Sequence, residues 1–180
     1  MKNVGIYGGA FDPPHLSHVL AVGYALSKGN FNQIIVMPCW LHAFDKDMLS
    51  FDKRMEMCRR AFSIYDPRTV SVSDAEAELK TQYSIDLITF LTERYKNINF
   101  SLIIGDDEYN NFNKWHEYKK ILSLASLFVI PRTEGQIKMP NVSSNQIRKD
   151  IRDKGLNSIR HLVSESVYEC IKENNFYMEK

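Results

Sequence analysis

Two histidines three residues apart, His15 and His18, follow a pair of glycines, Gly8 and Gly9, and an Asp12-Pro13-Pro14 run. The combination points to binding of an anion. Glycine lets a chain bend tightly and leaves a ligand room against the backbone. Asp suits a helix entrance as a cap, and Pro gives up an N–H that the first helical turn leaves unpaired anyway. Side chains three apart on that turn are neighbours. Two imidazoles, the N–H groups of a helix start and the positive end of a helix dipole would converge on one negative group. Phosphate is the obvious candidate.

A second site of the same physics stands near the other end. Ser143 is followed three residues later by Gln146, a capping-box pattern that starts a helix at Ser143. Ser144 and Arg148 then fall in its early turns, hydroxyl and guanidinium beside a helix N-terminus. Neither of the two commonest phosphate loops is present. There is no Gly-x-x-x-x-Gly-Lys-Ser/Thr run, and Gly5, Gly8 and Gly9 miss the Gly-x-Gly-x-x-Gly spacing.

The elements that must position these groups read as alternating strands and helices. Short apolar runs at 4–7, 34–37, 70–72, 100–104 and 127–130 have the pattern of strands buried on both faces. Phe51, Met55, Cys58, Phe62 and Tyr65 repeat at spacings of four and three, one face of a helix. Leu87, Ile88, Leu91 and Tyr95 do the same, and Val163, Val167, Ile171 and Phe176 form a closing amphipathic helix. The expected fold is α/β: a Rossmann-like open parallel sheet of about five strands with helices on both faces. Ligands then bind beyond the carboxyl ends of the strands, where strand order reverses.

Three further stretches fall at that edge. The loop after the second strand carries Trp40, His42, Phe44 and Lys46, and Lys46 could meet a phosphate as a flexible point charge. Arg54 could reach back to the same anion. The fourth strand ends in Gly105, Asp106 and Asp107, where a carboxylate could accept from ribose hydroxyls. Trp115 follows, placed either to fill core or to stack on a flat ring.

Composition narrows the partners. At 180 residues the chain is one domain's worth, read here as a single domain over 1–180. A net charge of +1 makes no case for a nucleic acid, so the ligand should be small. No apolar run is long enough to span a bilayer, and the N-terminus lacks a signal-peptide pattern. Cys39, Cys58 and Cys170 are scattered and odd in number, which suits reduced thiols in a cytoplasmic protein.

Taken together these residues resemble the bacterial nicotinate/nicotinamide mononucleotide adenylyltransferases of the nucleotidylyltransferase superfamily. Residues 8–15 are close to that group's GGTFDPxH, and His15-Leu16-Ser17-His18 is similar to its HxGH, with Ser17 in place of Gly. Residues 103–107 resemble IIGxD, 112–118 resemble F-x-x-W-x-x-Y, and 142–148 resemble ISSTxIR. Residues 167–177 are similar to the closing helix and aromatic end.

The resemblance implies an adenylyltransferase of NAD biosynthesis. It joins the AMP moiety of ATP to the mononucleotide and releases pyrophosphate, with ATP as substrate and Mg²⁺ bridging phosphate oxygens. His15 and His18 would be catalytic. Gly8, Gly9, Ala10, Phe11, Gly105, Asp107, Ser143, Ser144 and Arg148 would bind ATP. His42, Lys46, Ser84 and Trp115 would bind the acceptor, and no side chain is assigned as a metal ligand. Ser17 could push the nucleotide off the helix. Arg132-Thr133-Glu134-Gly135 resembles a cytidylyltransferase motif, phosphopantetheine adenylyltransferases are of similar length, and a nucleotide sensor without turnover is a third reading. Nicotinate against nicotinamide, and whether the chain forms a homo-oligomer, stay open at this point.

Overall fold

The computed structural model describes residues 1–41, 48–131 and 139–178. Five parallel strands, β1 (Lys2–Gly9), β2 (Gln33–Pro38), β3 (Val70–Val72), β4 (Ile98–Gly105) and β5 (Ser126–Ile130), lie in the order β3-β2-β1-β4-β5. Each coincides with an apolar run in the sequence. The chain starts mid-sheet, steps outward through β2 to β3, then crosses back to lay β4 on the other side of β1. β1 pairs with β2 from Val4↔Gln33 to Gly9↔Pro38, and with β4 from Lys2↔Ile98 to Ile6↔Leu102. Strand order therefore reverses between β1 and β4, and the crevice beyond their carboxyl ends is the ligand position that such a sheet favours.

Helices cover both faces. α1 (Leu16–Lys28), α2 (Phe51–Phe62), α7 (Ser144–Lys154) and α8 (Glu165–Glu173) share one core with Ile34, Val36 and Ile103. α4 (Ser84–Arg94) and α6 (Tyr118–Leu124) share the other with Ile35, Met37, Leu102 and Ile104. Alternate residues of one strand thus feed opposite cores, which is why the strands read as unbroken apolar runs rather than as alternating ones. Gly5 is fixed by this packing: a Cβ there would lie 2.6 Å from Ile103 Cδ1.

The structure shortens all three of the expected helical faces. Tyr65 lies past the end of α2, where its hydroxyl donates to the Val19 carbonyl at 2.7 Å and ties α2 to α1. Tyr95 is the C-cap of α4 and is exposed, so that apolar stripe ends at Leu91. Val163 and Phe176 are buried but flank α8 rather than belonging to it. Two short helices, α3 (Ala75–Leu79) and α5 (Asp106–Tyr109), lack an apolar stripe long enough to read from sequence. Cys39, Cys58 and Cys170 are free thiols. No helix among the described residues is long and apolar enough to cross a membrane.

Candidate active site

The β1–α1 turn gives its glycines different jobs. A Cβ on Gly8 would meet nothing closer than the Met37 carbonyl oxygen at 4.0 Å, so this side of the turn has room for a ligand. A Cβ on Gly9 would sit 3.1 Å from the Phe11 ring. Phe11 is 1 % exposed and packs edge-on to Tyr7, His18 and Phe62. Its φ of +49° is a costly conformation for a bulky residue, about 1–3 kcal/mol. Burial of the ring in the core under α1 offsets that cost. The Phe11 side chain is therefore a strut for His18.

His15 is the N-cap of α1, with extended backbone, and His18 stands one turn on. The rings stack with centroids 3.6 Å apart and planes inclined by 23°. The His15 backbone N–H donates to His18 Nδ1 at 3.2 Å. That contact orients the His18 ring at the start of α1.

The second helix start meets the same turn. Ser143 caps α7, its hydroxyl accepting from the Gln146 N–H at 3.2 Å. The Gln146 side chain does not complete the capping box; it donates to Asp150 Oδ1 at 2.9 Å, the neighbour one turn along. The Ser144 hydroxyl donates to the Pro13 carbonyl at 2.9 Å. Arg148 donates from Nη1 to the Asp12 carbonyl and from Nη2 to Asn145 Oδ1, the latter at 2.6 Å. Ser17 is buried, and its hydroxyl donates to the Pro140 carbonyl at 2.6 Å. Ser17 thereby fastens α1 to the segment that leads into α7. The sequence reading missed that role because residue type alone carries no direction.

Asp12 and Arg54 hold this junction from beneath. Asp12 is 1 % exposed; its Oδ2 lies 3.4 Å from Arg148 Nη1, and its Oδ1 accepts from the Tyr177 hydroxyl at 2.6 Å. Arg54 does not reach the anion site as expected. It is equally buried and spends its donors on carbonyls: Leu49 and Ala10 at 2.9 Å, Cys39 at 2.8 Å and Trp40 at 3.4 Å. It thus clamps the β1–α1 turn to the end of β2. Glu76 Oε2 accepts from the Trp40 N–H at 3.1 Å. Burial pushes the Glu76 carboxyl up to about 7, against the pull of that N–H and of Arg54. His42 and Lys46, expected on the loop that Trp40 introduces, lie outside the described residues, as does the segment 132–138.

Across the crevice, Gly105 caps α5, and Asp107 is an exposed residue of its first turn. Trp115 is half-buried, its ring tilted at 47° against Phe112 with centroids 5.1 Å apart. It is partly core and partly open. Ser84 begins α4, and the neighbouring Tyr83 ring lies 4.5 Å from that of His116, which brings the Ser84 and Trp115 segments together. A cavity of about 360 Å³, lined by Leu41, Lys80, Thr81, Tyr83 and Asp86 among others, opens beside them. Among the described residues no three His, Cys, Asp or Glu side chains are grouped to hold a metal ion.

A doubly wound sheet with two helix starts converging beyond its switch point is the layout of a nucleotide-handling α/β protein. Comparison with known proteins is more specific. Residues 6–150 match the cytidylyltransferase-like family model. A probable nicotinate-nucleotide adenylyltransferase of Anaeromyxobacter dehalogenans (strain 2CP-1) is 30% identical over 98% of this chain and 97% of its own length. The nicotinate-nucleotide adenylyltransferase of Bacillus subtilis is 27% identical over 98% and 99%. Among solved structures, Plasmodium falciparum nicotinic acid mononucleotide adenylyltransferase complexed with NaAD superposes with a TM-score of 0.81 at 20% identity, over 98% of each chain. A putative nicotinate-nucleotide adenylyltransferase from Vibrio parahaemolyticus gives 0.79 at 22%, over 100% of this chain and 98% of that one. The chain belongs to the cytidylyltransferase-like family and, within it, to the nicotinate-nucleotide adenylyltransferases.

Proposed function

We propose that this protein transfers the adenylyl group of ATP to nicotinate mononucleotide, forming the dinucleotide and pyrophosphate. The observation that carries the site assignment is the fastening of both helix starts to one turn, through Ser144 to Pro13 and Ser17 to Pro140. In the transfer, a 5′-phosphate oxygen of the mononucleotide attacks the α-phosphorus of ATP. The bond from that phosphorus to the α–β bridging oxygen breaks, and the pair of electrons leaves with pyrophosphate. No side chain becomes covalent. Catalysis rests on positioning and on donors aimed where charge develops.

His18 and His15, stacked against each other, face the phosphoryl group in transfer. The N-termini of α1 and α7, with Ser143, Ser144 and Arg148, receive the triphosphate. Gly8 and Gly9 give the nucleotides access to the backbone, and Gly105 and Asp107 receive the adenosine. Trp115 stacks on the pyridine ring beside Ser84, and His42 and Lys46 serve the acceptor phosphate. Mg²⁺ is carried by the phosphates of ATP and by water, as suits an ion that dehydrates reluctantly; the described residues form no carboxylate cage for it. The protein acts as one domain in the cytoplasm, on small molecules rather than nucleic acid.

Pyrophosphate release is measured with ATP and, in turn, nicotinate mononucleotide, nicotinamide mononucleotide and phosphopantetheine, and with CTP in place of ATP. Release that is fastest with ATP and nicotinate mononucleotide is the expected result. Preference for another pair would replace the acceptor or donor, and ATP binding with no release from any pair would identify a sensor.

A further inference from the structure

We propose that Tyr177 is a positioning residue for ATP, acting from the C-terminal segment through Asp12 on Arg148. This inference rests on the reading of Arg148 as a ligand of the triphosphate. The Tyr177 hydroxyl donates to Asp12 Oδ1 at 2.6 Å, joining residues 165 apart in the chain. The other carboxylate oxygen, Oδ2, lies 3.4 Å from Arg148 Nη1. The Arg148 side chain is 15% exposed. Tyr177 itself has a φ of +65°, a left-handed conformation disfavoured for an aromatic residue, and its ring is half-buried against the core. Burial and the Asp12 carboxylate both push its hydroxyl well above the usual tyrosine range, so it stays a donor.

One carboxylate can satisfy a guanidinium with both oxygens at once, and such two-pronged pairs are strong. Here Tyr177 occupies one oxygen. Asp12 then meets Arg148 with a single oxygen and its backbone carbonyl, and the guanidinium, which has five N–H donors, retains capacity for phosphate. Without the tyrosine hydroxyl, Asp12 turns both oxygens on Arg148 and draws it away from the triphosphate. Tyr177→Phe removes the hydroxyl and keeps the ring.

ATP affinity is measured by calorimetry, with Mg²⁺ present, for the unmodified protein, Tyr177→Phe, Arg148→Ala and the double variant. Tyr177→Phe is expected to weaken ATP about tenfold, which is about 1.4 kcal/mol. KM for nicotinate mononucleotide should stay within about twofold. On the Arg148→Ala background, the same change should cost less than about twofold further, because the two residues act in series. The proposal is overturned if Tyr177→Phe leaves ATP affinity within about twofold, if its loss repeats in full without Arg148, or if a fall in Tm comes with unchanged ATP binding. Protein that binds ATP yet transfers nothing to nicotinate mononucleotide would overturn the proposed function, while the ATP affinities would still decide the role of Tyr177.

Discussion

Ser17 and Pro140, 123 residues apart in the chain, are joined by a hydrogen bond of 2.6 Å from the serine hydroxyl to the proline carbonyl. It closes the gap between the segment leading into α7 and the first turn of α1. The bond gives Ser17 a structural role at the position where the HxGH signature it resembles has glycine. Ser17→Gly loses the hydrogen bond and places a glycine in a helix, a sum of about 1–2 kcal/mol. Urea unfolding should show that loss. A stability equal to the unmodified protein would mean that the bond contributes nothing net.

His18→Ala removes the imidazole proposed to stabilise charge on the transferring phosphoryl group. Losing one oriented donor of this kind costs roughly 100-fold or more in turnover. The steady-state rate of pyrophosphate release measures it. Turnover within a few-fold of the unmodified protein would take His18 out of the mechanism.

Arg54 donates to carbonyls of Ala10, Cys39, Trp40 and Leu49 while almost fully buried. Arg54→Met would strand those carbonyls and leave Glu76 without its nearby cation. A loss of about 3–5 kcal/mol in denaturant unfolding is expected, the scale for breaking a buried ionic network. Arg54→Lys should recover little of it, since one ammonium cannot span the same acceptors.

Glu76 makes stability depend on pH. Its carboxyl titrates at about 7 in the folded protein against an ordinary value of 4.5, because burial penalises the charged form. Between those values the folded state binds more protons than the unfolded one. Its contribution is therefore complete below about 4.5 and is lost as pH rises through about 7. Across that window Glu76→Gln should flatten the fall in unfolding free energy by on the order of 2–3 kcal/mol. Identical slopes for the two proteins would show that Glu76 does not titrate there.

The sheet and the helix start at Ser143 could be read from sequence because their signals are local. Apolar runs such as 34–37 specify strands buried on both faces, and Ser143 with Gln146 marks a helix start within four residues. Direction and long-range pairing left no such signal. Arg54 and Lys46 look alike in sequence as loop-edge cations, yet Arg54 turns inward to carbonyls. Ser17 reads as a substitution for glycine, but its value depends on Pro140. Gln146 matches the capping box, and a carboxylate one turn away, Asp150, competes for its side chain. Asp12 and Tyr177 share no periodicity, and only the folded chain brings them within a hydrogen bond.

The Tyr177–Asp12 bond also bears on how the protein is made. Translation delivers the first helix start, with its histidines, long before Pro140, Ser144, Arg148 and Tyr177 emerge from the ribosome. Until then the Asp12 carboxylate has neither Arg148 nor Tyr177 beside it, and the first turn lacks its opposing wall. A nascent chain can thus form β1 to β5 in order while the junction of the two helix starts is still open.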